Sequence, residues 1–411
     1  MRVIETKYLE KYKENVMVKG LVKQLRHRML ISGFLIVILL LAGCGEDPRQ
    51  GLPGGAAPAV IELWHSLAGA EGEALGKEVQ RIMDSHPEVL IHLEYIAEGE
   101  IAQLAYLAQA GGEGPELFLT TAQALTELFQ QGALAPVLGN GDSFIGLTSQ
   151  FKYGEKLYAQ PLATDVPLFF YRTDLAQLPA SLADFHTTKG VLALTALDTR
   201  NLAPWWSAQG GKLTGNGQPV LQDPANLIFL QQLLAWREGN LLLVDPNAWN
   251  LFLNAQAAYT IANASQAQGL SADIPWGSVP LTQLTAGQGE ILTTRTLGIA
   301  NSSIKTSESL SPLIRLVEDE LLSADSQGAI AKAGKRFPAS SSFYSREEAQ
   351  TGILRQVGLG LAQVWSLPGN ALEGKLIPIQ DKAWQKAWSG VVPEEALAGA
   401  QTEAVKALEA K

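Results

Sequence analysis

The chain has 411 residues, of which 46% are hydrophobic and 18% charged, a globular composition whose length predicts two domains. Asp and Glu outnumber Lys and Arg by 41 to 31, and residues 1–44 hold eight of the basic side chains against three acidic ones. The remainder therefore carries a net charge of −15, which repels phosphate backbones and excludes nucleic acid as a partner. Cys44 is the only cysteine, so neither an intrachain disulfide nor a cysteine-based zinc site is expected.

The first predicted element is an export signal. Residues 29–43 (MLISGFLIVILLLAG) carry no charge and follow the basic residues Arg26 and Arg28. A membrane-spanning helix needs about 20 apolar residues, so this run is too short and has instead the layout of a signal peptide. The alternative is a short membrane anchor that is never cleaved. The sequence predicts a signal peptide at 1–43 and, from its glycine and proline content, a flexible tether at 44–58.

The end of the apolar run, Leu41-Ala42-Gly43-Cys44, resembles a bacterial lipobox. The resemblance implies that the Cys44 sulfur receives a diacylglycerol and becomes the new N-terminus after cleavage. We therefore expect an exported protein, lipid-anchored to the cell membrane and facing the periplasm or the cell exterior. Met1, Met17 and Met29 remain alternative starts.

From residue 59 the hydrophobic pattern alternates between strand-like and helical segments. Residues 89–95 alternate apolar and polar side chains, as in a half-buried strand, whereas 73–85 place apolar residues on one helical face. The predicted elements are strand 59–64, helix 73–85, strand 89–95, helix 100–110, strand 117–119 and helix 122–130. This order indicates βαβ units around a mainly parallel sheet, in which ligands bind beyond the carboxyl ends of the strands.

The second half of the chain continues the alternation less regularly. Trp205 and Trp206 follow Pro204 in a segment without helical periodicity, so we expect no core for them to enter. The predicted elements are strand 166–171, strand 191–194, helix 224–236, strand 257–261, strand 291–300, helix 310–322, helix 380–388 and helix 394–408. This pattern predicts a second α/β unit.

Several short segments, each weak alone, occur in the same order as in one known family. They are 61–66 (IELWHS), 131–136 (QGALAP), 153–165 (YGEKLYAQPLATD), 168–175 (LFFYRTDL) and 392–397 (VPEEAL). Over roughly residues 59–410 the chain resembles the extracellular solute-binding proteins of sugar ABC transporters, the family that includes maltose-binding protein. The resemblance implies a binding protein rather than an enzyme.

The resemblance also implies the two-lobed periplasmic-binding-protein fold. Two α/β lobes, each a mainly parallel sheet flanked by helices, are expected to close on a ligand in the cleft between them. Lobe 1 is expected at 59–164 and 291–340, and lobe 2 at 165–290 and 341–411. The implied function is capture of a disaccharide, short oligosaccharide or glucosylated polyol by hinge closure, and delivery to ABC permease subunits in the membrane. A monomer without metal or cofactor is expected.

Sugar sites combine hydrogen-bonding side chains with flat aromatic surfaces. The candidate ligand-binding residues are Trp64, His65, Ser66, Thr120, Thr121, Asp165, Trp205, Trp206, Asn263, Trp276 and Arg336. By the resemblance, Asp165 at the first lobe crossing accepts hydrogen bonds from sugar hydroxyls, and Trp205 or Trp206 stacks on a sugar ring. Trp276 is expected where a strand leaves toward the lobe crossing, either as a ligand contact or as a packing residue.

Several of these residues have a plainer alternative role. Instead of binding a ligand, Trp64 would pack in the core or on the surface, and Thr121 would cap a helix. Asp165 would form a hinge salt bridge or a helix cap. Arg336 reaches either a ligand hydroxyl or only solvent. Asn263-Ala264-Ser265 stands where the family often has Gly-x-Trp, which predicts fewer stacking platforms and a short ligand.

Two other functions remain open. The sequence has no GxSxG, HExxH or phosphate-loop motif, and its histidines show no metal-ligand spacing. The carboxylates Glu71, Asp165 and Asp198 nevertheless leave a lipid-anchored glycoside hydrolase as one alternative. The other alternative is a binding protein for a non-sugar solute such as a polyamine, which an acidic cleft would suit.

Overall fold

The computed structural model describes residues 57–188, 190–271, 273–304, 309–364 and 371–409. The predicted signal peptide, its Cys44 and nearly all of the tether lie outside these residues. The strands are β1 (Ala59–His65), β2 (Val89–Tyr95), β3 (Leu117–Thr121), β4 (Lys152–Tyr153), β5 (Lys156–Leu157), β6 (Gln160–Asp165), β7 (Pro167–Arg172), β8 (Leu192–Leu194), β9 (Thr214–Gly215), β10 (Gln218–Pro219), β11 (Leu242–Val244), β12 (Tyr259–Asn263), β13 (Trp276–Pro280), β14 (Thr294–Asn301) and β15 (Phe337–Pro338).

The α-helices lie between these strands and after them. They are α1 (Gly69–Ser85), α2 (Glu98–Gly111), α3 (Ala122–Gln130), α4 (Ile145–Ser149), α5 (Thr199–Ala208), α6 (Pro224–Glu238), α7 (Ala248–Leu253), α8 (Ser311–Leu321), α9 (Ala324–Ala333), α10 (Gly352–Leu361), α11 (Ala371–Trp388) and α12 (Pro393–Glu409). Among the described residues, no helix is both long and apolar enough to cross a membrane.

The first sheet has the strand order β15-β6-β14-β3-β1-β2. Strands β1, β2 and β3 run parallel, whereas β14 pairs antiparallel with β3 and β6, and β15 antiparallel with β6. Helix α1 returns the chain from β1 to β2 and buries Leu75, Val79 and Ile82 along one face. Strand β3 is buried on both faces. Leu117 and Leu119 belong to the core cluster that includes residues of α1, and Phe118 belongs to the cluster that includes residues of α3.

The second sheet has the strand order β11-β8-β12-β7-β13. Strand β8 pairs parallel with β11 and β12, whereas β7 pairs antiparallel with β12 and β13. Helices α11 and α12 pack against each other and against α6, and α10 packs against β7 and β13. We call the elements around the first sheet lobe 1 and those around the second sheet lobe 2. The predicted fold class, two α/β lobes with helices around each sheet, is confirmed; the predicted residue boundaries of the lobes stay a prediction.

The apolar core has one part for each sheet and a third part shared by both. The core of lobe 1 is built around Ile61, Leu63 and Leu119, and that of lobe 2 around residues such as Trp205 and Trp384. The shared part joins side chains of β7 with side chains of β15, α4 and α10.

Candidate functional site

Carboxyl ends of strands from both sheets meet where the chain passes from one sheet to the other. Asp165 ends β6 in lobe 1, and Pro167 begins β7 in lobe 2. Strands β1, β2 and β3 end on the same side as β6, because β14 is antiparallel to both β3 and β6. By the same reasoning, β8, β11, β12 and β13 end beside the start of β7. Ligands of α/β sheets bind at such ends.

We call this junction the cleft edge. Its defining residues are His65, Tyr95, Thr121, Asp165 and Arg295 in lobe 1, and Leu194, Asn263 and Pro280 in lobe 2.

Three predicted hydroxyl side chains lie together at the ends of β1 and β3. Ser66 Oγ and Thr120 Oγ1 are 2.6 Å apart and share one hydrogen bond. Thr121 Oγ1 donates to Glu98 Oε1 at 2.5 Å and accepts the backbone N–H of Ala124 at 3.3 Å. Thr121 is therefore the N-cap of α3, the alternative role expected for it, and it also stands at the cleft edge.

His65 and Tyr95 form an aromatic pair at the ends of β1 and β2. Their ring centroids are 5.8 Å apart in an edge-on arrangement. His65 Nδ1 accepts the backbone N–H of Leu67 at 3.3 Å, and burial lowers the pKa of the imidazole. A neutral ring whose Nδ1 accepts carries its proton on Nε2, so His65 offers one N–H donor. Gly72 permits this loop, because a Cβ there would lie 2.5 Å from the carbonyl oxygen of Leu67.

Asp165 is buried, with an exposed fraction of 0%. Its Oδ1 accepts the backbone N–H groups of Val166 at 3.0 Å and Ser265 at 3.2 Å. Its Oδ2 lies 3.8 Å from Arg295 Nη1 and, within the described part of the chain, accepts no hydrogen bond. Burial raises the pKa of this carboxyl to about 6, although these contacts lower it. The contact with Arg295 fits the hinge salt bridge expected as the alternative role of Asp165, and the contact between Oδ2 and a sugar hydroxyl stays a prediction.

Arg336, just before β15, forms an ion pair with Glu71 of α1. Its Nε also donates to the backbone carbonyl oxygen of Arg295 at 2.9 Å. Gly334 leaves room for the ion pair, because a Cβ at that position would collide with Glu71 Oε1. The expectation that Arg336 reaches a ligand hydroxyl or only solvent is therefore corrected, because its guanidinium is engaged by a neighbouring helix.

Asn263 ends β12 and contacts lobe 1 directly. Its Oδ1 accepts the hydroxyl of Thr294 at 3.1 Å. The chain continues as a 3-10 turn, Ala264–Ala267, after which Gln268 Nε2 donates to the carbonyl oxygen of Arg336 at 3.3 Å. The segment that stands in place of the family's Gly-x-Trp is thus tied to lobe 1 by hydrogen bonds.

In lobe 2 the first turn of α5 follows β8 at the cleft edge. Asp198 is its N-cap, accepting from the backbone N–H of Asn201 at 2.8 Å and from its side-chain amide at 2.6 Å. Asp381 of α11 accepts both the backbone N–H and the hydroxyl of Thr199, each at 2.6 Å. Burial raises the pKa of Asp198 and raises that of Asp381 to about 6. Two carboxylates thus fix the start of this helix.

Trp205 and Trp206 lie inside α5 and pack into the core of lobe 2, with exposed fractions of 0% and 4%. Trp206 Nε1 donates to Asn226 Oδ1 at 2.8 Å, and the ring of Trp205 is edge-on to Trp236 with centroids 5.9 Å apart. The prediction that this pair has no core to enter is wrong, because the helix continues through Pro204. Neither ring offers a face to a ligand.

The other two predicted tryptophans also pack against aromatic rings. Trp276 begins β13 opposite Arg172, at the end of the strand that is remote from the cleft edge, and its ring lies 5.8 Å from that of Phe170. The strand leaves toward the lobe crossing, as expected, and Trp276 at its start makes the packing contact expected as its alternative role. Trp64 is half-buried and edge-on to Phe118 at 6.1 Å, the packing role expected as its alternative.

Sequence reasoning did not name Tyr95 or Arg295, two polar residues of the cleft edge, as candidate ligand contacts. Tyr95 has an exposed fraction of 54% and ends a strand whose limits the alternating pattern predicted, so the carboxyl-end rule alone pointed to it. Arg295 gave no local signal, because its position depends on the pairing of β14 with β6. Within the described ranges, no group of three or more His, Cys, Asp or Glu side chains is placed to hold a metal ion.

Solved structures with the same architecture cover nearly all of the described chain. The maltodextrin-binding domain MalE of Bdellovibrio bacteriovorus bound to maltotriose is 18% identical, with a TM-score of 0.63 over 85% of this chain and 100% of its own. A cyclo/maltodextrin-binding protein complexed with maltotetraose is 16% identical, with a TM-score of 0.73 over 87% of this chain and 99% of its own. The fold is that of the maltodextrin-binding proteins.

A third similar structure extends this comparison to another ligand. The GacH receptor of Streptomyces glaucescens, solved without ligand and with acarbose, is 19% identical, with a TM-score of 0.67 over 86% of this chain and 100% of its own. No known protein-family profile matches the sequence, and no curated protein matches it. The maltodextrin-binding fold expected from the sequence resemblance is thus confirmed at the level of architecture.

Proposed function

We propose that the protein is the solute-binding component of an ABC importer and that it captures a sugar at the cleft edge. The single observation that carries the proposal is the meeting of the strand ends of two α/β lobes at the point where the chain crosses between them, in a maltodextrin-binding fold. A ligand held there contacts both lobes only when they are closed, so binding and hinge closure are coupled.

The ligand we propose is a disaccharide, a short oligosaccharide or a glucosylated polyol. Similar structures hold maltotriose, maltotetraose and acarbose. The cleft edge offers hydroxyls, an imidazole N–H and the exposed ring of Tyr95, which suit the hydroxyl groups and C–H faces of a sugar. The residues that replace the family's Gly-x-Trp include no aromatic ring, which favours a short ligand.

Export, lipid attachment at Cys44, the lobe limits 59–164 with 291–340 and 165–290 with 341–411, and delivery to a membrane permease complete the proposal. They rest on the sequence pattern and on the family resemblance. An acyl anchor would hold the sugar-binding body at the membrane, close to the permease. The tether between the anchor and the body is rich in glycine and proline, which makes it a flexible connection.

The contacts and burial of three carboxylates favour binding without turnover over glycoside hydrolysis. A glycosidase needs two carboxyl groups that reach the scissile bond from opposite sides. Glu71 is engaged by Arg336, Asp165 is buried, and both oxygens of Asp198 accept from Asn201. Glu71 and Asp198 are thus engaged in contacts within the protein, and Asp165 has no exposed surface.

The test is calorimetry of the purified body with maltose, maltotriose and trehalose, followed by chemical analysis of the recovered sugar. We expect binding of at least one sugar, which is returned unchanged; cleavage of any of them contradicts the proposal. Tyr95→Ala should lower the affinity about three- to tenfold through the lost ring contact. Tyr106→Ala is the matched control, because Tyr106 is 61% exposed on α2 and away from the strand ends. Equal losses in both variants would place the ligand elsewhere.

A further inference from the structure

Arg295 has a backbone conformation that few residues adopt. Its φ is +54°, in the left-handed region, and it lies in an irregular part of β14 where the register with β6 shifts between Thr294 and Leu297. Glycine or asparagine fits this conformation better than arginine does. Irregular strand positions and left-handed residues concentrate at functional sites, where they redirect a side chain.

The guanidinium of Arg295 is held from the lobe 1 side by three oxygen atoms. Nη2 donates to the carbonyl oxygen of Gly334 at 3.0 Å, and Nη1 donates to that of Lys335 at 3.3 Å. Nη1 also lies 3.8 Å from the buried Oδ2 of Asp165. The backbone oxygen of Arg295 accepts from Arg336, so both the main chain and the side chain are fixed.

The Arg295 side chain that carries this guanidinium is still 42% exposed. Arginine has five N–H donors in a rigid planar fork, and the two carbonyl oxygens use only part of them. The exposed donors stand at the cleft edge, beside the crossing at Asp165 and the hydroxyl of Thr294. Because the side chain is already ordered, a ligand that binds it pays little conformational entropy.

We propose that Arg295 is a ligand contact whose exposed N–H groups donate to two neighbouring oxygen atoms of one sugar ring, a vicinal diol. This proposal rests on the proposed function and names a contact within it. The positive charge of Arg295 is already compensated by Asp165, and the positive charge of Arg336 is compensated by Glu71. A neutral sugar therefore fits better than an acidic one, whose carboxylate would approach that of Asp165.

The test compares Arg295→Asn with wild type by calorimetry, using maltose, maltotriose and trehalose. Asparagine accepts the left-handed backbone, so the fold should persist while the donors are lost, and the affinity should fall about ten- to hundredfold. Arg346→Asn is the matched control, since Arg346 pairs with the exposed Asp325 of α9 and should keep wild-type affinity. Arg295→Lys keeps the charge but not the fork and should also bind weakly.

The outcomes separate the two proposals. Wild-type affinity in Arg295→Asn, or in Arg295→Lys if the asparagine variant does not fold, overturns the contact and leaves sugar binding intact. Tighter binding of a glucuronic acid disaccharide than of maltose overturns the preference for a neutral diol. If wild type binds none of the sugars, the proposed function fails, and this contact fails with it.

Discussion

Replacing Asp165 by asparagine should change how the free energy of unfolding depends on pH. Burial raises the pKa of Asp165 to about 6, against an ordinary value of 3.8. The folded state therefore binds this proton more tightly than the unfolded state does. The stability that the protonated carboxyl provides is complete below about pH 4 and is lost as the pH rises through about 6.

The size of the effect follows from the two pKa values. The difference between about 6 and 3.8 corresponds to about 3 kcal/mol, and the full burial of Asp165 means that solvent does not screen it. Asparagine keeps an oxygen that accepts from Val166 and Ser265. Relative to wild type, Asp165→Asn should gain about 3 kcal/mol of stability as the pH rises from about 4 to just above 6, and the difference should then stay constant.

The assay is urea unfolding of both proteins at intervals across this pH range, with the difference between them as the measured quantity. Glu318→Gln is a matched control in α8, because burial raises the pKa of Glu318 to about 7 at a site remote from the cleft edge. It should show a gain of similar size that extends to higher pH, with sugar affinity unchanged. A stability difference between Asp165→Asn and wild type that stays constant with pH would refute the argument that burial dominates this carboxyl.

Trp206→Phe should cost about 1 kcal/mol, because it removes one of the two donors to the buried Asn226 Oδ1, the other being the backbone N–H of Lys212, and it should leave sugar affinity unchanged. Chemical denaturation and calorimetry check the two parts, and a loss of affinity without a loss of stability would return Trp206 to the ligand site. Cys44→Ala should abolish incorporation of labelled fatty acid in the producing bacterium; label in the variant equal to that in wild type would show that Cys44 is not the lipid attachment site.

The sequence was sufficient for features that depend on local periodicity. The alternation of strands and helices between residues 59 and 130 is as predicted, because each segment carries its own hydrophobic pattern. The position of His65, Ser66 and Thr121 at strand ends followed from the same pattern and from the rule that ligands bind beyond carboxyl ends.

Features that depend on strand pairing or packing were not predictable in the same way. Trp276 is remote from the cleft edge because β13 runs antiparallel to β7, a direction that no local pattern specifies. Pro204 suggested a break, yet the burial of Trp205 and Trp206 outweighs the missing N–H of one proline within α5. Besides its neighbour Val166, Asp165 contacts Ser265 and Arg295, which lie 100 or more positions later in the chain.

The alternative ligand, a polyamine, would need free carboxylates at the cleft edge, which the net charge of the body does not by itself establish. The carboxylates at the cleft edge are engaged: Asp165 faces Arg295, Glu71 pairs with Arg336, and Glu98 accepts from Thr121. What remains for a ligand is a set of donors, namely the exposed guanidinium of Arg295 and the imidazole N–H of His65, together with hydroxyls. A polyamine offers only N–H donors and needs free acceptors, whereas sugar hydroxyls both accept and donate. The arrangement therefore favours a sugar over a polyamine for reasons that net charge does not express.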